Sequence, residues 1–256
     1  MLIRMHAADA QPSSSVSNAA PPSAAATRPG IAVQADRLLK QMSAYLGSAG
    51  QFTFHADITL DHVLPTGQKL EYAAAEDVAL QPRPRRLYVE RSADLGDRRF
   101  WYDGSSVTLL DPVTAFYAAE AAPGDIDAML RELTGQLGFS PPLSDFLYKD
   151  PYQAVRDNVR YGVDLGTTEV SGRSCRALAF VGKDVDWLIW IDTGPQLIPC
   201  KLVITYKSQP AQPQFTAMFS DWEFVPRIAA PIFTPELPPG AEKIGVMPVI
   251  ASAGRK

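Results

Sequence analysis

From residue 52 to 62 the chain alternates. Phe54, Ala56, Ile58 and Leu60 are apolar, and His55, Asp57, Thr59 and Asp61 between them are polar. A period of two sets these groups on opposite faces of a strand, so the segment reads as a half-buried antiparallel strand. Pro65-Thr66-Gly67 supplies a turn, and 68–80 repeats the alternation with Leu70, Tyr72, Val78 and Leu80 on one side. Strand-like segments then cover 86–91, 99–103, 107–111 and 113–119. They are divided by 94–97, Asp103-Gly104 and Asp111-Pro112, all turn chemistry. The first half thus predicts a six-strand meander.

Helical spacing flanks this run. Ala35, Leu38, Leu39, Met42, Tyr45 and Leu46 form a stripe wide enough to cover a sheet face, and Gly47 and Gly50 are expected to end that helix. After the meander, Asp125 is placed to cap a helix with the stripe Ile126, Met129, Leu130, Leu133 and Leu137, closed by Gly138. A short helix is predicted over 143–148 after Pro141-Pro142, and a third starts with Asp150 as cap and Pro151 at its first position. Strand patterns resume at 162–170, 176–181, 185–192, 201–207 and 214–224, rich in β-branched and aromatic residues. The Pro-rich stretch from Phe233 to Ala241 reads as extended. The expected class is α+β: one large antiparallel sheet of about eleven strands, an N-terminal helix, and an insertion of short helices as a lid. A sheet that wide curls into a barrel or half-barrel.

Composition adds limits. The chain has 256 residues, with 24 Lys and Arg against 28 Asp and Glu, a net charge of −4. An acidic balance argues against a nucleic-acid partner, which needs a clustered basic surface. No window reaches the roughly 18 to 20 apolar residues that span a bilayer, so an integral membrane protein is not expected. Two Cys and three His exclude zinc ribbons and iron–sulfur clusters. Between Gln11 and Gly30, 14 of 20 residues are Ser, Ala or Pro, too little apolar surface to offset the entropy of ordering. Residues 1–32 are therefore expected to be disordered, 33–245 to form the domain, and 246–256 to be a tail. Ala8-Asp9-Ala10 has the small-x-small form of an export cleavage site, without the apolar stretch that precedes one. A Ser/Ala/Pro tether suits an exported protein.

Catalytic signals are sparse. His55, Asp57 and Asp61 share one strand face and carry groups a metal could use; the competing reading is a solvated outer face, which alternation favours. His62 falls on the opposite parity. No G-x-S-x-G elbow, phosphate loop or dinucleotide fingerprint occurs, and Gly172-Arg173-Ser174-Cys175 reads as a turn leading into a strand. Asp184 and Asp186 read as turn and strand-start residues. Neither enzyme chemistry, nor a metal, nor a cofactor is expected.

The element order, with Arg83-Pro84 leading a strand and the Asp103-Gly104 and Asp111-Pro112 turns, resembles the lipoprotein-carrier fold of LolA, LolB, LppX and RseB-like proteins. Over about 33–245 the chain resembles more closely an uncharacterised family of predicted periplasmic proteins of this fold. That likeness rests on Tyr102-Asp103-Gly104, Ala122-Pro123-Gly124, Pro142-Leu143-Ser144-Asp145, Leu178-Ala179-Phe180, Asp186-Trp187 with Trp190-Ile191, Leu202 through Lys207, Ser220-Asp221-Trp222 and Pro239-Gly240-Ala241. The pattern departs at Arg176-Ala177, where a His is expected nearby, at Leu188 in place of Gln, and at Cys200 in place of a basic residue.

The resemblance implies a periplasmic location and an apolar ligand cavity. On the inner parity lie Phe54, Ile58, Leu60, Leu70, Tyr72, Leu87, Val89, Phe100, Tyr102, Leu178, Phe180, Trp187, Ile189, Leu202 and Ile204, the expected lining. Either these residues surround a cavity or the helices fill it as a solid core. The resemblance further implies that Arg83 tethers the helical insertion closed. The function so implied is a carrier or binding protein for a lipid, acyl chain or lipidated protein. The alternative is an RseB-like sensor or scaffold without catalysis, whose partner is a membrane-associated protein.

Cys175 and Cys200 leave two readings. Two cysteines in an exported protein suggest a disulfide. Both lie near strand starts with 185–192 between them, which in a regular meander separates them by about 9.5 Å, beyond the roughly 7 Å a disulfide allows. A bond requires the middle strand to fall short at that end; otherwise they are two buried thiols.

Overall fold

The structure is a computed structural model that describes residues 30–83, 85–122, 124–136, 143–156, 158–224 and 227–245. The small-x-small match, Leu137, Gly138, Pro141-Pro142 and the 246–256 tail lie outside the described residues, as do 1–29 of the segment predicted to be disordered. That prediction runs to residue 32, but β1 (Gly30–Ile31) pairs in parallel with β8 (Val159–Val170).

Two meanders carry the fold. The first is β2 (Phe52–Val63), β3 (Lys69–Pro82), β4 (Arg85–Ala93), β5 (Arg98–Tyr102), β6 (Ser106–Asp111) and β7 (Phe116–Ala121). The second is β8, β9 (Arg173–Gly182), β10 (Val185–Asp192), β11 (Pro199–Tyr206) and β12 (Gln214–Glu223). The last strand of the second pairs antiparallel with the first strand of the first, with Ala217 opposite Ile58. With β13 (Glu242–Lys243) on β7, the order is β1-β8-β9-β10-β11-β12-β2-β3-β4-β5-β6-β7-β13, an open curved sheet of 13 strands among the described residues. The eleven expected strands are present, and the two added ones are two-residue edges.

One boundary moves for a local reason. The sequence predicts a strand over 113–119, but Asp111 accepts the N–H groups of Val113 and Thr114, both at 3.0 Å. This side-chain-to-backbone turn, with Ala115 in a left-handed conformation, delays β7 to Phe116.

Helix α1 (Val33–Ser48) lies across the concave face and buries Ala35, Leu39, Met42 and Leu46. It runs through Gly47 rather than ending there. Gly47 instead allows a close approach: a Cβ on it would collide with the carbonyl oxygen of Lys149. The insertion follows β7 as α2 (Ile126–Gln136), a 3-10 turn at Ser144–Phe146, and α3 (Pro151–Arg156). Asp125 caps α2 by accepting the Ala128 N–H at 2.8 Å, and Asp150 caps α3 through Gln153 at 3.2 Å.

Both faces of the first meander are covered. Phe233, in a 3-10 turn at Ala230–Phe233, joins Ala79, Tyr88, Trp101 and Leu110 in a second apolar cluster on the convex side. The tail predicted to be extended therefore packs there, and Trp101 donates to the Ile232 carbonyl at 3.1 Å.

Candidate ligand cavity

The pleat of β10 and β11 sets Trp187 opposite Ile204 and Ile189 opposite Leu202, all on the concave side. Phe180 of β9 stacks on Trp187 with ring centroids 4.2 Å apart. The ring fits because residue 162 is glycine: a Cβ there would lie 2.6 Å from the Phe180 ring. Facing this wall are Leu39 and Met42 of α1 and Leu143, Phe146, Pro151, Ala154 and Val155 of the insertion. Between the two layers remains an apolar cavity of about 190 Å³.

Polar contacts position the cover. Tyr152 of α3 donates to Asp36 of α1 at 2.6 Å, and Asp36 also accepts from Lys40 at 2.8 Å. These hydrogen bonds, Lys40 first, hold the Asp36 carboxyl below its ordinary value. Leu143 takes a left-handed conformation, φ 61°, that turns the chain into the 3-10 segment and leaves its own side chain buried.

Of the expected lining, Trp187, Ile189, Leu202 and Ile204 surround this cavity. Phe54, Ile58, Leu87, Phe100, Tyr102, Leu178 and Phe180 are enclosed instead in the solid core. The filling is largely aromatic. Trp222 stacks on Phe54 at 4.6 Å and on Phe224 at 5.8 Å, and Phe146 meets Phe219 edge-on at 5.4 Å. Leu60 and Val89 pack at the margin of that core. Leu70 and Tyr72 share its face but pair with His62 and Leu60 toward the tip of the β2–β3 hairpin, where the Tyr72 ring lies 5.8 Å from that of His62.

A wider cleft of about 940 Å³ opens at the other end of the cover, lined by Leu46 to Gly50, Arg83, Arg85, Asp103 to Ser105, Asp125 to Asp127 and Leu147 to Lys149. Arg83 is exposed in it. The part of the insertion's helix α2 that shares the cleft with Arg83 is its N-terminal end, and α1 reaches the cleft with its C-terminal end.

His55, Asp57 and Asp61 do not converge. His55 Nδ1 bonds Asp77 at 2.8 Å, and Asp57 stands 3.5 Å from Nε2. Asp61 instead pairs with Lys69 at 3.0 Å and accepts the Gln214 N–H at 3.0 Å. The Asp77 bond raises the His55 pKa despite some desolvation. Among the described residues, no group of three or more His, Cys, Asp or Glu is placed to hold a metal.

Sequence reading misses Glu76. It lies opposite Ala56 on the concave face of β3, between Ala74 and Val78, and is 1% exposed. One oxygen accepts from Arg91 at 3.0 Å, and the other has no partner among the described residues. Burial pushes its carboxyl up to about 7, with Arg91 pulling the other way. An acid at an inner-parity position is the available signal.

The cysteines also depart from the regular geometry. Cys175 and Cys200 form a disulfide with Cα atoms 7.0 Å apart. The register shifts at Trp190 and Ile191, leaving Cys200 as an extra residue in β11.

Among the described residues no helix is long and apolar enough to cross a membrane. The chain is similar to Mycobacterium tuberculosis lipoprotein LppX, with 12% identity and a TM-score of 0.45 over 74% of this chain and 94% of that one. It is similar to an uncharacterized conserved protein from Thermus thermophilus, with 9% identity and a TM-score of 0.48 over 83% and 99%. A LolA superfamily protein from Nitrosomonas europaea aligns with 11% identity and a TM-score of 0.38 over 78% and 97%. No curated protein matches the sequence significantly. Residues 35–247 match the family described as predicted periplasmic protein (DUF2092), and the chain belongs to that family.

Proposed function

We propose that the protein binds a hydrophobic ligand, a single acyl chain or the acyl chain of a lipid or lipidated protein, between α1, the insertion and β10–β11, without catalysis. The apolar cavity beside Trp187 carries this reading, because protein interiors otherwise close to near-crystalline packing and an apolar void forfeits contacts on its lining. Its volume of about 190 Å³ falls below the roughly 300 Å³ at which drug-sized ligand pockets begin. A full acyl chain therefore requires the short helices to move outward. The test is extraction of protein purified without detergent, followed by mass spectrometry. A stoichiometric single-chain amphiphile supports the reading. An empty extract together with no uptake of octanol overturns it, and a stable protein complex in its place favours the sensor alternative.

A further inference from the structure

The cavity has an uneven rim. Apart from Asp145 and Asn158, the described residues lining it are apolar, and Asp145 is the one charged side chain among them. It sits in the 3-10 turn at Ser144–Phe146, between buried Ser144 and Phe146. Among the described residues it has neither a hydrogen-bond nor an ion-pair partner. Two neighbouring acids are matched: Asp36 by Lys40, Tyr152 and Arg156, and Asp186 by Lys207 at 2.7 Å. Asp150 accepts a helix N–H, and Asp127 accepts the Lys149 N–H at 2.9 Å.

Asp145 itself is exposed at the rim, so its carboxylate meets both water and the apolar wall. Partial desolvation by that wall still raises the carboxyl above its ordinary value. Tyr206, which continues the inner row of β11 beyond Ile204, has its hydroxyl raised by burial first and by the Asp145 charge second. The nearest cation of that strand end, Lys207, is turned to Asp186 and to the Gly182 carbonyl at 2.8 Å.

Resting on the apolar-cavity reading, we infer that the ligand is an amphiphile whose apolar chain ends in a protonated amine, with Asp145 as its anchor. A chain seated against Trp187, Ile189 and Leu202 brings its head to the rim. There an ammonium supplies three donors to the carboxylate and, with them, the missing opposite charge. A carboxylate head would instead set like charges together, and a hydroxyl head would leave the Asp145 charge uncompensated.

The test is calorimetric titration of the protein at pH 7.5 with octylamine, octanol and octanoate, which share one chain and differ in the head. The inference predicts octylamine tighter than octanol by about two- to fivefold, the effect of one exposed ion pair, and octanoate weakest. In Asp145→Asn the amine preference should vanish, and an unchanged circular dichroism spectrum and urea midpoint show that the variant is folded. Octylamine no tighter than octanol in the parent protein overturns the assignment of the head group and leaves the cavity standing. Binding of none of the three overturns both readings. Among lipids, a preference for lysophosphatidylethanolamine over lysophosphatidylglycerol would place the amine in a lipid head group. Octylamine preference without it would place the amine on a free chain.

Discussion

Cys200 occupies a bulge of β11 and is bonded to Cys175 across the end of β10, on the convex side of the sheet. Parity alone sets them on opposite faces, because Leu202 and Leu178 point inward and Cys175 lies an odd number of residues from its reference while Cys200 lies an even number. The extra residue in β11 turns Cys200 outward, where both sulfurs pack with Val170, Trp190 and Met218. The bond spans 25 residues of sequence, and a loop of that length stabilises by about 3–4 kcal/mol in the chain-entropy estimate. Cys175→Ala/Cys200→Ala should lower the free energy of urea unfolding by that amount. Dithiothreitol should do the same to the parent protein and leave the double variant unmoved; a loss under about 1 kcal/mol would remove the bond's structural role.

Glu76 gives the fold a pH dependence of defined sign. Its folded value of about 7 lies above the ordinary 4.5. Its contribution is thus fully present below about 4.5 and is lost as pH rises through 7, by roughly 3 kcal/mol at most. His55, raised by Asp77, acts in the same direction above its ordinary 6.5, though its partly exposed pair is worth less. Urea midpoints of the parent protein should therefore fall between pH 5 and 8. Glu76→Gln should flatten most of that slope and leave a small residue above pH 6.5, which His55→Gln removes. An unchanged slope in Glu76→Gln would show that the buried acid does not titrate there.

The legible parts are those with local causes. Alternation along residues 52–62 and 68–80 fixes which face each side chain takes, and Asp125 and Asp150 announce helix starts through their own hydrogen bonds. What stays hidden depends on distant chain. Tyr88, Trp101 and Leu110 lie on the outer parity but are buried, because Phe233 covers them from about 130 residues away. Apolar neighbours such as Phe100-Trp101-Tyr102 and Leu109-Leu110 carry the signal of two-sided burial. The extent of the cavity is equally illegible: parity selects the inner row, but only the positions of Phe146, Phe219 and Trp222 decide which part of that row is filled.

Inner and outer positions of β11 should respond differently to charge. Ile204 and its partner Trp187 line the cavity, whereas Lys201 lies 5.0 Å over the outer-face Trp190 ring. Trp187→Asp, or the milder Ile204→Asp, should weaken octanol binding at least about tenfold, since a charge on an apolar wall must be desolvated. Lys201→Asp should change it less than twofold. Equal losses at both positions, read by calorimetry, would mean that the probe binds elsewhere.

Arg83 is expected to steady the cover, but weakly. It shares a cleft with the C-terminal end of α1 and with Asp125 and Asp127 at the start of α2, all favourable to a cation. Its exposure limits the effect to about 1 kcal/mol or less. In Arg83→Leu, amide exchange across residues 126–136 and 143–156 should rise about two- to fivefold with the global urea midpoint unchanged. Unaltered protection in both segments would leave Arg83 as a solvated side chain.

Gly47 couples α1 to the insertion through backbone alone. It lies in the last turn of α1, where alanine is the better helix former by about 1 kcal/mol. Propensity therefore predicts that Gly47→Ala stabilises. The added methyl, however, would press on the Lys149 carbonyl oxygen, and a carbonyl fixed ahead of the Asp150 cap cannot swing aside as a flexible side chain can. Overpacking of this kind costs about 1–3 kcal/mol, so the net change should be destabilising. Gly50, three residues on, has no described atom within 4 Å of the position a methyl would take, so Gly50→Ala should be neutral or slightly stabilising. Because Lys149 leads into α3, Gly47→Ala should also displace that helix from α1 and change octanol affinity, while Gly50→Ala leaves it intact. Thermal midpoints and calorimetry on the two variants decide the matter: equal behaviour at both glycines would mean that the α1–insertion contact does not constrain the cavity.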